Sequence, residues 1–259
     1  MANESFELNT ARGSRHDSAS KPEAMRYALI IPALNEAESI GRLLTQTPRA
    51  RIEKIIVVDN GSLDATAAVA HTVGASVVQE PRRGYGRACQ AGIAALDAHT
   101  NAVVFMDADL SDDPADLNRL LDFYEAGDWD LVAGSRVLGC AEPGSLTPVQ
   151  RFGNWLTTQL IAWLWGVRYS DLGPLRVIRR DALERLALRD PDFGWNVEMQ
   201  SKAAMLGLKV GEISVNYRRR RSGKSKISGT LKGSVQAGVK ILVTVGRCWF
   251  SGRRSAAPR

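Results

Sequence analysis

A chain of 259 residues, 44% hydrophobic and 24% charged, can bury a sizeable core, which argues against general disorder; 23 glycines and 10 prolines fall short of a low-complexity or collagen-like composition. Cys89, Cys140 and Cys248 are far apart with no CxxC, and His16, His71 and His99 lack metal-ligand spacing, so disulfide, zinc and imidazole chemistries lose support and a reducing, cytoplasmic setting is expected. The net charge of +6 is uneven: residues 200–259 hold fourteen Lys and Arg against Glu212 alone, a local +13 that leaves the first 199 residues at −7 and predicts a basic surface for an anionic partner.

Residues 1–24 are polar, without the apolar region of a signal peptide, and are expected to form a disordered leader. From Tyr27 apolar runs alternate with helical periodicity: YALIIP, a helix with Ile40, Leu43 and Leu44 on one face, KIIVVD, a second helix, then SVVQ. This is the pattern of parallel βαβ units, and the nearly unbroken Val and Ile runs predict strands covered on both faces. NAVVFMD follows, then a helix expected to be capped by Asp113 with Pro114 at its first position, then DLVAGS. Residues 26–136 thus look like a nucleotide-binding layer. Beyond a Gly/Pro-containing loop, NWLTTQLIAWLWG is apolar on every side and is expected to be buried in protein or lipid. SDLGPLRVIRRDAL, a helix from Trp195, a strand around GEISVNYR, the run RRRRSGKSK and a last helix over about 231–249 complete the chain. That helix sets Lys240 and Arg247 near Lys232 and gathers Leu231, Leu242, Val245 and Trp249 opposite, an amphipathic pattern suited to an anionic bilayer surface. No run of eighteen uncharged apolar residues predicts a membrane span.

Open parallel sheets bind ligands beyond the carboxyl ends of their strands. Three predicted strand ends carry acids: Asn35 and Glu36 after the first, Asp59 after the second, Asp107 and Asp109 in FMDADLSDDP after the fourth. Two carboxylates one small residue apart can face one point, and hard oxygen ligands suit Mg²⁺ or Mn²⁺ bridging a diphosphate. Asp112 and Asp113 are assigned to the start of the following helix. RRGYGRACQAG departs from GxGxxG at Cys89, and no GxxxxGK[ST] exists, so dinucleotide and P-loop chemistry lose support. Gly84 and Gly86 would still let backbone approach a ligand, with Arg82, Arg83 and Arg87 offsetting phosphate charge.

IPALNE, VVDNGSLDAT, GYGRACQAG, MDADLSDDP, GSR, DLGPLRVIRRDAL, GWNVEMQ and RSGKSKISGT, in that order, resemble the family 2 glycosyltransferases, in the dolichyl-phosphate mannose synthase-like branch that glycosylates polyprenyl phosphates. The resemblance implies an α/β GT-A fold with a mostly parallel central sheet and helices on both faces. It also implies a nucleotide-diphosphate sugar donor such as UDP-glucose or GDP-mannose, Mg²⁺ or Mn²⁺, and inversion at the anomeric carbon. On that resemblance Pro32, Ala33, Asn35, Glu36 and Asp59 line the base and ribose pocket, and Gly84 contributes to the donor site. Asp107 and Asp109 hold metal and diphosphate, with Ser111 where relatives carry a Gln ligand. Arg136 and Arg220 or Arg221 grip the donor and acceptor phosphates, while Trp195 and Glu198 lie by the acceptor, Glu198 and Asp109 being the candidate bases for a hydroxyl acceptor. Arg220, Arg221, Lys224 and Lys226 place four cations in seven residues, and with Ser225 they are expected to meet an acceptor phosphate.

The expected organisation is a leader over 1–24, a catalytic domain over 25–228, an amphipathic helix over 229–252 lying on the inner face of the membrane, and a basic tail over 253–259. The expected partners are a nucleotide sugar, a phosphorylated lipid or small-molecule acceptor, and an anionic membrane. A nucleic-acid-binding role is weighed and set aside, because the basic run lacks interleaved aromatics and a docking motif. A sugar-phosphate nucleotidyltransferase would need a Gly-rich GxGxR loop where IPALNE stands.

Overall fold

The computed structural model describes residues 25–220 and 240–251. The expected leader, Arg221, Lys224, Ser225, Lys226, the first half of the last helix and the basic tail lie outside the described residues. Seven strands form one sheet in the order β3-β2-β1-β4-β6-β5-β7. β1 (Tyr27–Ala33), β2 (Ile52–Asp59), β3 (Ser76–Gln79) and β4 (Ala102–Phe105) are parallel neighbours, as the βαβ pattern predicts.

The second half departs from a simple parallel continuation. β6 (Arg176–Arg179) inserts between β4 and β5 (Leu131–Ala141) and runs antiparallel to both, while β7 (Val210–Tyr217) is parallel to β5. Because β6 is reversed, its first residues arrive at the same sheet edge as the last residues of β1, β2, β4, β5 and β7. The chain segment before β6 therefore joins the ligand side of the sheet.

Alternation along each strand divides the core in two. Leu29, Ile31 and Val57 face α1 (Ala37–Gln46), α2 (Thr66–Thr72) and α4 (Asp116–Ala126), whose Ile40, Leu43, Leu44, Ala70, Leu117 and Leu121 complete that layer. Ile30, Ile56 and Val58 face α3 (Tyr85–Ala94), α6 (Arg180–Leu186) and α7 (Trp195–Met205). Both faces are thus covered, which is why the strands carry unbroken apolar runs.

One expectation about helices is corrected and another is narrowed. α4 begins at Asp116, not at Pro114: Asp113 Oδ1 accepts from the Ala115 N–H at 3.2 Å, so its carboxylate closes a turn ahead of the helix. α5 (Pro148–Trp165) starts at a capping box in which Thr147 and Gln150 bond reciprocally, with Pro148 at the first position. Its all-apolar sequence predicts burial in protein or lipid, and the protein itself buries only Thr157, Thr158 and Ile161. Phe152, Trp155 and Trp163 are exposed. Residues 240–251 are helical and sit beside α5, Ile241 Cδ1 coming to 3.8 Å of a Cβ placed on Gly153.

Candidate active site

A pocket of about 760 Å³ opens at the carboxyl edge of the sheet. Its floor is made by the strand-end residues, and its geometry follows from how the loops after β1, β2 and β4 are tied. After β1, Asn35 adopts a left-handed conformation (φ 52°), which Asn tolerates through its short polar side chain. Its Oδ1 accepts from the Leu63 N–H at 2.7 Å and its own N–H donates to Ser62 Oγ at 2.9 Å. After β2, Asp59 is buried and accepts from the Ser62 N–H at 3.0 Å, closing the turn. Asn60 donates to the carbonyls of Glu80 and Arg82, both at 2.9 Å, and accepts from the Gly84 N–H at 2.8 Å. These bonds hold the first three loops as one wall.

Asp107 and Asp109 follow β4. Asp109 Oδ1 accepts from the Ser111 N–H at 2.9 Å, which fixes its carboxylate, and Leu110 takes φ 61°, an uncommon and strained choice for a branched residue. Asp107 Oδ1 is buried with no hydrogen-bond partner. Burial, and then the charge of Asp109, push the Asp107 carboxyl up to about 7. An orphaned buried carboxylate oxygen beside a second carboxylate is a donor set that fits a hard divalent cation. Among the described residues no group of three or more His, Cys, Asp or Glu could hold a metal. Asp107 and Asp109 would therefore leave the other positions of a six-coordinate ion to diphosphate oxygens and water.

Arginines face these acids. Arg136, at the pocket wall on β5, is clamped by Asp171, with Nε and Nη2 donating at 2.7 and 2.8 Å and the Arg136 N–H donating at 2.8 Å. This pair raises the Arg136 pKa against the opposing effect of burial, so the guanidinium stays charged. Asp171 is held in turn by Glu212, which accepts from Ser170 N–H and Oγ at 2.8 and 2.9 Å and from the Asp171 N–H at 3.3 Å. The Tyr217 ring stacks under the Arg136 guanidinium at 4.9 Å. Arg220 pairs with Glu36 and brings its Nε to 3.5 Å from Asp109 Oδ2.

Of the sequence-predicted residues, Pro32, Ala33, Asn35, Glu36, Gly84, Asp107, Asp109, Arg136 and Arg220 line the pocket. Three do not. Asp59 gives its Oδ1 to the turn, while its neighbour Asn60 reaches the pocket. Trp195 is 1% exposed and packs in the core edge-to-face with Phe105, 6.4 Å between ring centroids. Glu198 is buried behind the wall, accepting from the Arg189 and Asp190 N–H groups at 2.9 and 2.7 Å and pairing with Lys202 at 2.7 Å. Asn196, 100° round the helix from Trp195 and 200° from Glu198, and Phe193, just ahead of the helix, line the pocket where Trp195 and Glu198 were expected. Gly84 and Gly86 also serve differently: a Cβ at either would lie 2.3 Å from Pro191 O or 1.9 Å from Asp190 O. They admit the 190–191 backbone as well as, at Gly84, the pocket. Arg82 is engaged by Glu80 in a two-pronged pair, both at 2.9 Å, whose hydrogen bonds draw the Glu80 carboxyl down to about 2. Arg83 lines the pocket and Arg82 does not.

The sequence reading missed Asn60, Tyr85, Gln150, Asp171, Phe193, Asn196 and Tyr217. Asn60 carried a signal, standing next to Asp59 at a strand end. Tyr85 follows Gly84 at the start of α3, Gln150 lies in the first turn of α5 and Tyr217 ends β7, whereas Asp171 comes to the site through β6 reversal and Phe193 and Asn196 through the fold-back of the 190s loop.

A family model for glycosyl transferase family 2 matches residues 28–187. An uncharacterized glycosyltransferase of Mycobacterium tuberculosis is 41% identical over 215 residues, covering 81% of this chain and 93% of that protein. The undecaprenyl-phosphate mannosyltransferase of Micrococcus luteus is 31% identical over 239 residues, covering 83% and 93%. Among solved structures, glucosyl-3-phosphoglycerate synthase of Mycobacterium tuberculosis, crystallised with Mn²⁺, UDP and phosphoglyceric acid, superposes with a TM-score of 0.68 at 22% identity, covering 86% of this chain and 78% of that one. The sheet order, the strand-end acids and these likenesses agree: the chain belongs to glycosyltransferase family 2, to its dolichyl-phosphate mannose synthase-like branch, and has the GT-A fold.

Proposed function

We propose that this glycosyltransferase moves a hexose, with inversion, from a nucleotide-diphosphate sugar to the phosphate of a polyprenyl phosphate. The observation that carries the reading is the facing of Asp107 and Asp109 by Arg136 and Arg220 inside one pocket. Asp107 and Asp109 would hold Mg²⁺ or Mn²⁺, which supplies charge neutralisation for the departing diphosphate. The strand-end wall of Pro32, Ala33, Asn35 and Asn60 would take the nucleoside. Arg136, prevented by Asp171 from turning away, presents a fixed positive charge to phosphate oxygens, and fixed charges act most strongly where negative charge accumulates as the bond breaks.

In the reaction an acceptor phosphate oxygen attacks the anomeric carbon, the bond to the diphosphate oxygen breaks, and the nucleoside diphosphate leaves with the electron pair. A phosphate monoester oxygen is already nucleophilic and has no proton to surrender, so no carboxylate base is required. A hydroxyl acceptor needs one. Glu198, the leading alternative to Asp109 for that role, is turned into the wall and bound by two N–H groups and Lys202, which favours the phosphate acceptor. The relatives glycosylating polyprenyl phosphates support the same choice.

The test is a transfer assay with a panel of nucleotide sugars, Mn²⁺, and either undecaprenyl phosphate or undecaprenol. The phosphate is expected to be glycosylated with inverted anomeric configuration, the alcohol not at all, and Asp109→Asn is expected to lower kcat at least about 100-fold without unfolding. Glycosylation of the alcohol, or full activity in excess EDTA, overturns the reading.

A further inference from the structure

Seven of the thirteen large apolar residues exposed in the described structure lie on just two neighbouring helices, α5 and 240–251. On α5, Phe152, Trp155 and Trp163 are 61%, 55% and 81% exposed. At 100° per residue they fall, with exposed Gln159, within an arc of about 80°, and the eleven steps from Phe152 to Trp163 make a stripe about 17 Å long. The 240–251 helix turns Thr244, Val245 and Cys248 to the protein and leaves Leu242, Val243 and Phe250 outward. Next to the Gly153–Ile241 contact, Phe152 and Leu242 are both exposed, so the two apolar faces adjoin. The basic stripe expected to lie opposite the lipid face is in part drawn inward, because Lys240 pairs with Asp190 at 2.8 Å.

Charge selects the occupant. Charged residues over 143–170 and 240–251 are all basic: no Asp or Glu occurs in either stretch, while Arg151, Arg168 and Arg247 are exposed. Two copies of so basic a face repel each other. Aromatic rings on helices whose exposed charges are arginines, with no acid, match the headgroup boundary of an anionic bilayer, where Trp and Phe insert shallowly and cations meet phosphates. The stripe also begins two residues beyond Gln150, which lines the pocket.

We propose that the Phe152–Trp155–Trp163 stripe of α5, flanked by the outward side of the 240–251 helix, docks the protein on an anionic lipid surface with the pocket mouth at the membrane. The surface is independent of the acceptor reading, since vesicles without any acceptor probe it. The test is cosedimentation of the full chain with phosphatidylcholine vesicles, with or without 30% phosphatidylglycerol, for wild type, Trp163→Ser, the Phe152→Ser/Trp155→Ser pair, and Leu63→Ser, a control at a residue 89% exposed elsewhere. Wild type and Leu63→Ser are expected to bind the anionic vesicles and to release in high salt. Each stripe variant should lose at least about tenfold in partitioning, with unchanged thermal unfolding and donor hydrolysis. The proposal is overturned if wild type ignores anionic vesicles, binds neutral ones equally well, or is matched by the stripe variants. It is overturned too if light scattering shows a dimer that these substitutions turn into a monomer, because a second copy then covers the face. Failure of vesicle binding with intact transfer to a phosphate acceptor would leave the proposed function standing, and the reverse result would leave the docking face standing.

Discussion

In the proposed reaction Arg136 would depend on Asp171, a residue that never needs to meet the ligand. A free arginine at a pocket wall samples many rotamers, whereas Asp171 accepts from both Nε and Nη2 and Glu212 fixes the backbone that carries Asp171. Replacing Asp171 by Asn keeps an acceptor oxygen but removes the charge and one of the two good acceptors. We expect Asp171→Asn to fall about 10- to 100-fold in kcat, with a smaller change in donor KM, because the positioning is used mainly as charge develops; steady-state kinetics of a variant with native circular dichroism checks it. A second expectation concerns Asp107. Its carboxyl is raised to about 7 in the fold against an ordinary value near 4, so between those values the folded, metal-free protein holds a proton the unfolded chain has released. Stability of the metal-free protein should therefore decline as pH rises through that window, by at most ~1.4 kcal/mol per unit, and Asp107→Asn should flatten the decline. Mn²⁺ must displace the same proton, so its affinity should climb by up to about tenfold per unit to pH 7 and then level, as calorimetry at several pH values would show. The acids of the site were legible in the sequence because each directly follows an apolar strand. Asp171 and Glu212 were not, since nothing local distinguishes a carboxylate that holds a neighbour from one that faces water.

β6 shows what periodicity misses at the level of elements. Four residues, Arg176–Arg179, begin and end on arginine, and Arg176 is fully buried. A buried charge inside a strand erases the apolar signal, so the strand order around β4 was invisible while the first four strands read plainly. α5 is legible in another way: its apolar sequence reads as buried in protein or lipid, and among the described residues no element covers its outer stripe. α3 depends on backbone approach that only glycine allows. At Gly86 an added Cβ would lie 1.9 Å from Asp190 O and 2.9 Å from its carbonyl carbon, both backbone atoms unable to swing aside. Arg87 N–H donates to Pro191 O at 3.0 Å across the same contact. Gly86→Ala is expected to destabilise by about 1–3 kcal/mol and to push apart Tyr85 and the 190s loop, both of which border the pocket. Urea denaturation measures the first effect and donor KM the second; an unchanged midpoint would show that the helix can move without cost.

Across the whole molecule, the charge imbalance between the first 199 residues and the rest is resolved partly by stitching. Arg218 pairs with Asp113, Arg220 with Glu36 and Asp109, Lys209 with Asp128, and Lys240 with Asp190. The acids are strand-end and loop residues around the pocket edge or sheet end, and the cations arrive from the following segments, so the basic part of the chain closes over the acidic part. The Lys240 pair joins the last helix to the site. Lys240 Nζ lies 2.8 Å from Asp190 Oδ2, Asp190 Oδ1 accepts from the Asp192 N–H at 2.9 Å, and Asp192 and Phe193 line the pocket. Asp190 is 7% exposed, so removing its cation leaves a nearly buried carboxylate with a poorer partner set. We expect Lys240→Ala to cost about 1.5–3 kcal/mol and to weaken donor or acceptor binding several-fold by loosening the 190s loop, although the residue itself is not at the pocket. Lys240→Arg, which keeps the charge, should recover most of both losses. Equal thermal melting and equal KM values for Lys240→Ala and wild type would mean that the last helix is not coupled to the site, and that its buried face of Thr244, Val245 and Cys248 only covers the protein.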